Sequence, residues 1–519
     1  MTKVGLSLAT YAIPMLFVVA ALANARAARW RLAQGLSMLA LIATVIFGVL
    51  VLFHAPIAMQ VMHQPWVSHS PVSFIMLMLV SFIALINVSY SRSYMAGNRE
   101  EEARYLRWLM TTLCAVALVA VTNHMLVFLA AWISISFGLN QLLLFYPQRP
   151  RAVLAAHKKF IFARIAELSL FGAFLLLHAV HGSWLISDSY RELHGQPALQ
   201  AMQMVAVTLL ALTALIKCAQ FPIHGWLIQV VEAPTPVSAL LHAGIINLGG
   251  YLLILFAPLL SQCAPAQWLL LVVAGMTTVA AALIMMTRIS VKVRLAWSTM
   301  SQMGLMLVEC ALGLYELALL HLVAHSCYKA YAFLNSGSEV EYDLKRRMAI
   351  NASPGGKDWI VAGLIMAAVI VAVIYVLDIP PPYSAWLLLG YAMTLLLAER
   401  NSVIRNGSLI RAFGLGIMLT LAYVVQKQGA GLIQPQLPTT SGWLGDLWVG
   451  LLFTALLMLY WLIRFRPDRD MVQNFRIALY AGFYIDEWVT RLTMILFPMK
   501  LPVRVNPKQL QIPDKEMIK

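Results

Sequence analysis

The chain has 519 residues, of which 61% are hydrophobic and only 11% charged, and its mean hydropathy is +0.78. A soluble domain cannot bury so much apolar surface and a disordered chain does not carry it, so both classes are excluded. The apolar residues form long runs without the alternation typical of a membrane β-barrel. The net charge of +15 could suit nucleic acid, but basic residues of membrane proteins collect in cytoplasmic connections, so no nucleic-acid partner is predicted.

Long hydrophobic segments predict an all-α polytopic membrane protein with about fifteen transmembrane helices in the lipid bilayer. Several segments are shorter than the roughly 20 residues that a straight crossing needs. In chain order, the segments lie near 6–24, 33–53, 72–90, 106–121, 124–146, 160–181, 202–219, 236–257, 267–287, 296–314, 316–335, 358–377, 384–398, 408–426 and 446–464.

The odd-numbered connections between the spans contain Lys and Arg, and nearly all even-numbered ones contain none. This pattern predicts how the chain is oriented in a cell inner membrane. The second connection, 54–71, holds no Lys or Arg, whereas Arg149, Arg151, Lys158 and Lys159 are assigned to the fifth. The positive-inside rule then places the N-terminus in the periplasm and the basic C-terminal tail in the cytoplasm. Within that tail, Leu492–Pro498 is apolar but too short to span, and is expected on the membrane surface or on a partner.

Ionisable residues within the apolar runs are candidate functional groups, because each costs roughly 2.5–3.5 kcal/mol on insertion scales. Arg164 and Glu167 are three residues apart, on one helix face, either as a local ion pair or with Glu167 as a titratable partner. Lys217 precedes Pro222 by five residues. A proline breaks the helix, so Lys217 either snorkels to the interface or lines a cavity at the break.

Four further titratable residues lie downstream. A buried histidine such as His242 is often only a hydrogen-bonded core residue, but it also suits a proton relay. His321, His325 and Lys329 are spaced i, i+4 and i+8, so they share one helix face. A metal on the two histidines is disfavoured, because Lys329 would repel a cation and the sequence offers no third ligand. The five cysteines are scattered, and neither a metal nor a cofactor is predicted in this chain.

Four stretches together resemble antiporter-like proton-translocating subunits, as found in respiratory complex I, Mrp cation/proton antiporters and membrane hydrogenases. The resemblance is strong over about 100–340 and implies two inverted five-helix repeats, each with a broken helix. It implies that Lys217 is the pumping lysine, and that Arg164 and Glu167 match an Arg and an acidic position of the family. It further suggests a relay of His242, His321, His325 and Lys329, with Glu232 and His224 as possible additional site residues. The stretches are Lys217–Leu227, Glu232–Gly244, Leu295–Gly304 and His321–Ala330.

The predicted organisation follows that resemblance. We expect N-terminal helices over 1–100, a first repeat over 101–262, a second over 263–430, and a last span with the basic tail over 431–519.

Three departures from the family pattern narrow the resemblance. Ile133 or Ser134 occupies the position where the fifth span of the family has a Glu, so the resemblance implies Glu167 as the substitute partner of Lys217. The segment 358–377 has no ionisable residue after Asp358, and the long lateral helix is missing. A short subunit of this kind resembles the membrane subunits of DAB-type inorganic-carbon complexes.

That resemblance implies a transporter subunit, not an enzyme, that moves a cation, H⁺ or Na⁺, to energise CO₂ or bicarbonate uptake. Its expected partner is a DabA-type zinc protein, similar to a carbonic anhydrase, on the cytoplasmic side. Two alternatives stay open. One is a proton-pumping subunit of a complex I-like, hydrogenase or Mrp-type assembly, and the other is a membrane anchor that does not pump.

Overall fold

The computed structural model describes residues 3–58, 66–68, 70–191, 198–348, 355–378, 383–399, 409–433, 437, 440 and 442–498. Residues 59–65 of the second connection and 499–519 of the basic tail therefore lie outside the described residues. Within the described ranges the secondary structure is helical, apart from two isolated β-bridges. The α-helices are α1 Lys3–Ala23, α2 Trp30–Ala58, α3 Pro71–Tyr94, α4 Arg99–Val121, α5 Met125–Leu143, α6 Pro150–His181, α7 Asp188–Arg191, α8 Ala201–Lys217, α9 Gly225–Gln229, α10 Thr235–Ala243, α11 Leu248–Leu255, α12 Ala257–Leu260, α13 Ala264–Met285, α14 Val291–Ala311, α15 Tyr315–Leu334, α16 Glu339–Met348, α17 Gly356–Val376, α18 Ser384–Glu399, α19 Leu409–Gly431, α20 Gly442–Phe465, α21 Asp470–Tyr480 and α22 Ile485–Leu496.

The predicted fold class, an all-α polytopic membrane protein, is confirmed. Each of the fifteen predicted segments contains helix, and ten spans of the described residues are long and apolar enough to cross a membrane. The predicted break after Lys217 is present, and a second interruption separates α10 from α11. By contrast, α17 runs without a break through Gly356–Val376.

Local sequence signals account for several helix ends. The Ser70 hydroxyl accepts a hydrogen bond from the Ser73 amide at 3.1 Å, and Pro71 occupies the first turn of α3. Asn98 caps α4 in the same way, through the Glu100 amide. At the C-terminal end of α6, Gly182 adopts the left-handed conformation with φ 64°, which a glycine accepts without steric cost.

Two apolar cores hold the bundle together. The larger one draws mainly on α1 to α15, where α6 packs against α8, α13 against α14, and α15 against both α10 and α14. A smaller core joins α17 and α18 through Ala362, Met366 and Trp386. Helix α20 buries little of itself, since its apolar side chains such as Leu451 and Met458 stay exposed, as expected for a lipid-facing helix.

The described part of the C-terminal tail, up to residue 498, forms the helices α21 and α22. Helix α22, which contains part of the apolar segment Leu492–Pro498, packs against α6 of the same chain. Val489 and Thr493 are buried in that contact, whereas Leu492 and Ile495 stay exposed. The expectation that this segment needs a membrane surface or a partner is therefore corrected for one face of α22, which the chain itself covers.

Candidate ion-translocation site

Helix α8 ends inside the bundle, and its last residue is Lys217. The chain resumes a helix only at Gly225. Between them, Pro222 has no N–H to donate, and Ala219 adopts the left-handed conformation with φ 52°. That conformation costs an ordinary residue roughly 1–2 kcal/mol. The break is thus built into the local sequence and held by its surroundings.

Side chains satisfy the backbone groups that the break leaves free. The Gln220 amide donates to the Cys218 carbonyl at 2.8 Å. The Phe221 N–H donates to the Thr277 hydroxyl of α13 at 3.1 Å. Since non-helical backbone at membrane depth is tolerated only where such partners or a cavity exist, these bonds make the interruption possible.

The amine of Lys217 lies beside a small cavity. It sits 4.4 Å from the ring centre of Trp132 on α5. The cavity has a volume of about 30 Å³ and is also lined by Ser136, Lys159 and, from α10, Leu241. That volume has room for a water molecule. The end of α8 is thereby joined to α5, α6 and α10 around one small, mostly apolar cavity that two lysines reach.

Lys158 and Lys159 correct the sequence analysis. Both lie in α6, about two turns after its first residue, and both are buried, so they do not belong to the fifth connection. The Lys159 amine donates to the Ser136 carbonyl at 2.6 Å. The assignment was wrong because the helix begins at Pro150, earlier than the apolar run suggests.

Glu167 is the carboxylate of this group. Arg164 donates to it at 2.8 Å, as expected from their three-residue spacing, and the Glu167 side chain is only 7% exposed. Glu167 also lies within electrostatic range of Lys159 and Lys217. One buried carboxylate therefore faces three cationic side chains. Its role as the partner of Lys217 stays a prediction.

His224 lies beyond the break, near a buried ion pair. Its ring is buried beside Trp297, with 5.3 Å between ring centres, and lies within electrostatic range of Lys158. The Lys158 amine pairs with Asp486 of α22 at 2.7 Å and donates to the Thr490 hydroxyl at 2.7 Å. The C-terminal helix is thus anchored on α6 next to the interrupted helix.

Asp486 also contacts the interrupted segment directly. Its carboxylate lies so close to Gly225 that any side chain at that glycine would collide with it. The Gln229 amide donates to the same carboxylate at 3.2 Å. Burial raises the pKa of Asp486, and the Lys158 ammonium partly offsets this.

Glu232 lies apart from the buried groups. Its carboxylate is at the surface, 4.0 Å from the Arg151 guanidinium, and Arg149 donates to its backbone carbonyl at 3.2 Å. His224 and Glu232, the two possible additional site residues, therefore differ in burial: His224 is buried and Glu232 is not.

His242 is fully buried near the interruption between α10 and α11. Its ring stacks on Phe333 at 4.3 Å, and neither ring nitrogen has a hydrogen-bond partner among the described residues. The interruption itself is held by Asn247, whose amide donates to the Ser326 hydroxyl of α15 at 2.6 Å. This bond fixes the second break against α15. That helix carries His321, His325 and Lys329 on one face, which we call the α15 stripe.

The stripe on α15 forms as predicted. Lys329 is fully buried and its amine donates to the Ser298 hydroxyl at 2.8 Å. His325, one turn away, lies within electrostatic range of Lys329 and His242. The ring centres of His325 and His321 are 6.2 Å apart. The part of the chain that the structure describes holds no group of three or more His, Cys, Asp and Glu side chains able to bind a metal.

The stripe continues into carboxylates that the sequence analysis missed. Nδ1 of His321 lies 3.1 Å from the Glu309 carboxylate of α14. Glu316 in the first turn of α15 is buried, 3.9 Å from the Lys427 amine of α19. Glu309 is an ionisable residue inside an apolar run, which is the criterion that identified the other candidates. Lys427 lies just beyond the predicted segment 408–426.

Interrupted helices and buried lysine, histidine and carboxylate groups in a helical bundle define an antiporter-like membrane subunit. The family model for the transmembrane NADH:quinone oxidoreductase/Mrp antiporter matches residues 122–387. The chain belongs to this family.

Similar proteins extend the family assignment. The chain is 57% identical over 505 residues to the probable inorganic carbon transporter subunit DabB of Hydrogenovibrio crunogenus, covering 97% of both chains. It is 36% identical over 439 residues to the probable inorganic carbon transporter subunit DabB2 of Halothiobacillus neapolitanus, with 82% of this chain and 79% of that one covered. A chain of the Mrp complex from Dietzia sp. has the same fold, with TM-score 0.60 at 18% identity, over 97% of this chain and 61% of that chain.

Proposed function

We propose that this chain is a proton-translocating subunit that energises the uptake of inorganic carbon, CO₂ or bicarbonate, together with a DabA-type zinc protein similar to a carbonic anhydrase. In this proposal the chain itself is not an enzyme. It moves the ion, and the partner carries out the hydration chemistry.

The observation that carries the proposal is the succession of buried ionisable side chains. It begins at Lys159 and Lys217, which line the cavity, and at Glu167, which lies within electrostatic range of both lysines. The cavity wall includes Leu241, the neighbour of His242 on α10. The succession then follows the α15 stripe from Lys329 to His321 and ends at Glu309. Buried groups of this kind are costly in a membrane, so a bundle that served only as an anchor would be more stable with apolar residues there.

The substrate and the partner rest on similarity. The relatives that cover most of this chain are named as inorganic carbon transporter subunits. We infer that the partner docks on the cytoplasmic side. The tail helices support this, because Arg288 of a basic connection donates to the Leu479 carbonyl of α21 at 3.4 Å. Asp486 of α22 pairs with Lys158 in the N-terminal part of α6, which follows the basic fifth connection. The tail therefore lies beside the basic connections that the positive-inside rule assigns to the cytoplasm.

An ion-moving role without inorganic carbon is the second candidate, as in a complex I-like, hydrogenase or Mrp-type assembly. The shared fold with a chain of an Mrp complex favours it. The two candidates differ in the partner. Co-purification with a zinc protein would favour carbon uptake, and co-purification with quinone-oxidoreductase subunits would favour the alternative.

The test exchanges Lys217 for methionine in the chain co-expressed with its DabA-type partner. The host lacks carbonic anhydrase and grows in air only if inorganic carbon accumulates. We expect Lys217→Met to abolish both rescue and uptake of labelled inorganic carbon while the complex still assembles. Lys217→Arg should also fail, because a guanidinium does not release its proton.

The matched control is Lys345→Met, which removes an amine that is 72% exposed and forms an ion pair with Glu341 at the surface. This variant should retain full uptake. Normal uptake by Lys217→Met would contradict the proposal and reduce Lys217 to a structural side chain.

A further inference from the structure

The carboxylate end of the α15 stripe forms a second buried group of charged side chains. Glu309 lies in the last turn of α14, Glu316 in the first turn of α15, and Lys427 near the end of α19. Helix α14 begins next to the basic connection that contains Arg288. The group therefore lies on the opposite membrane side, which the positive-inside rule assigns to the periplasm.

This group is not arranged as a fully bonded ion pair. The Lys427 amine is 3.9 Å from a Glu316 oxygen, beyond hydrogen-bond distance, although the Glu316 side chain is only 2% exposed. Neither oxygen of Glu316 has a hydrogen-bond partner among the described residues, and the same holds for the Tyr423 hydroxyl of α19. Tyr423 lies within electrostatic range of Glu309 and Glu316. The two carboxylate oxygens of Glu316 and the Tyr423 hydroxyl are thus three buried polar atoms without a hydrogen-bond partner among the described residues.

Such an arrangement is a poor structural device. A buried charge pair stabilises a helix contact only when good geometry and further hydrogen bonds offset the loss of hydration. Among the described residues, the Glu316 carboxylate has a counter-charge at 3.9 Å and no hydrogen-bond partner from another residue. It is suited instead to accept a proton or another small cation when the ammonium of Lys427 moves away.

We propose that Glu316 and Lys427 form the outward-facing ion-exchange site of this protein, where the translocated cation enters or leaves the α15 stripe on the periplasmic side. Glu309 and His321, which are 3.1 Å apart, link this site to His325. In this account the second half of the bundle has its exchanging lysine on α19, and the absence of an ionisable residue in α17 after Asp358 does not interrupt the path. The inference rests on the proposed function, since it assumes that the chain translocates a cation.

The test separates ion exchange from helix packing through a double substitution, Glu316→Leu with Lys427→Met, in the complex with its partner. Replacing a buried pair by apolar residues of similar size is often neutral or stabilising, so we expect normal yield and thermal stability of the complex. Uptake of labelled inorganic carbon should nevertheless fall at least about tenfold. The matched control, Glu341→Leu with Lys345→Met, removes an exposed pair of the same residue types and should retain uptake.

The remaining outcomes overturn the inference. Normal uptake by the double variant would show that neither group exchanges the cation. Failure of the double variant to assemble would show that the pair joins α15 to α19 as a structural contact. Lys217→Met in the same assay identifies which proposal has failed. If it loses uptake while the double variant keeps it, the outward site is wrong, and if both keep it, the translocation function is wrong.

Discussion

The charged groups around Lys217 contain more basic than acidic side chains, whereas the group at the N-terminal end of α15 contains two carboxylates and one lysine. Near Lys217, the single carboxylate Glu167 faces Arg164, Lys159 and Lys217. At the far end, the two carboxylates Glu309 and Glu316 face one lysine and a histidine. In a low-dielectric interior neither imbalance is favourable. A proton that leaves the first group and reaches the second reduces both, so the comparison suggests why titratable residues join them.

The two regions also differ in backbone. The first is built on the end of α8, where Gln220 and Thr277 replace helix hydrogen bonds. The second lies on α15, which is continuous from Tyr315 to Leu334. An interrupted helix can shift at its break, whereas a continuous helix holds its side chains at fixed spacing. The first region is therefore suited to respond to a moving charge and the second to conduct it.

Among the variants that compare the two regions, removing the Glu167 carboxylate should have the largest effect, nearly as large as that of Lys217→Met. Glu167→Gln leaves Arg164, Lys159 and Lys217 without a counter-charge, so we expect uptake to fall at least about tenfold. Uptake of labelled inorganic carbon measures this, with the exposed Glu341→Gln as control. Full activity of Glu167→Gln would mean that Lys217 works with another group, and would remove the charge contrast between the two regions.

Breaking the stripe between the two regions should be nearly as damaging. His325→Ala and Lys329→Ala each remove one member of a series spaced by one helical turn, roughly 5–6 Å, and the wider gap that remains is too long for a direct proton transfer. We expect a severalfold to tenfold loss of coupled uptake with normal assembly. Cys327→Ala, on the exposed side of the same helix, is the control. Equal uptake by all three variants would show that the stripe conducts nothing.

Substitutions in the Lys158–Asp486 ion pair should change the stability of the complex more than its transport activity. Lys158→Met removes the cation from an Asp486 side chain that is 28% exposed, which should cost about 2 kcal/mol, and adding Asp486→Leu should recover most of the loss. Thermal unfolding of the purified complex in detergent measures both. A double variant as unstable as Lys158→Met would contradict this assignment.

The Lys158→Met variant should also depend on pH. Burial raises the pKa of Asp486, and removing the lysine takes away the main effects that lower it, leaving the weaker one from the Thr490 hydroxyl. A carboxyl whose folded pKa is above its unfolded value of about 4 contributes stability at low pH that is lost as the pH rises through the folded value. The variant should therefore be less destabilised at acidic than at neutral pH. A pH-independent loss would mean that Asp486 does not titrate there.

The smallest effect is expected at Glu232. Its pair with Arg151 is long and exposed, so Glu232→Gln should change stability by less than about 1 kcal/mol. Uptake should stay near normal, in contrast to Glu167→Gln. A loss as large as that of Glu167→Gln would place Glu232 in the ion path and break the distinction between buried and surface carboxylates.

The sequence predicted the fold class and much of the first region, because apolar runs, a lysine before a proline and an i, i+4, i+8 stripe are local patterns. It missed Lys159, since the basic residues before an apolar run were read as a connection while α6 starts at Pro150. It missed the contact of Lys427 with Glu316, which depends on the packing of two helices far apart in sequence. It also missed the anchoring of α22 by Asp486, for the same reason.

The most direct test of the central claim is a proton-flux measurement on the purified chain with its partner in proteoliposomes that contain a pH-sensitive dye. With an imposed membrane potential and added CO₂, we predict a change of internal pH that falls to the level of empty liposomes in Lys217→Met and persists in Lys345→Met. An undiminished proton flux in Lys217→Met would contradict the account, as would carbon uptake driven by a sodium gradient without any proton flux.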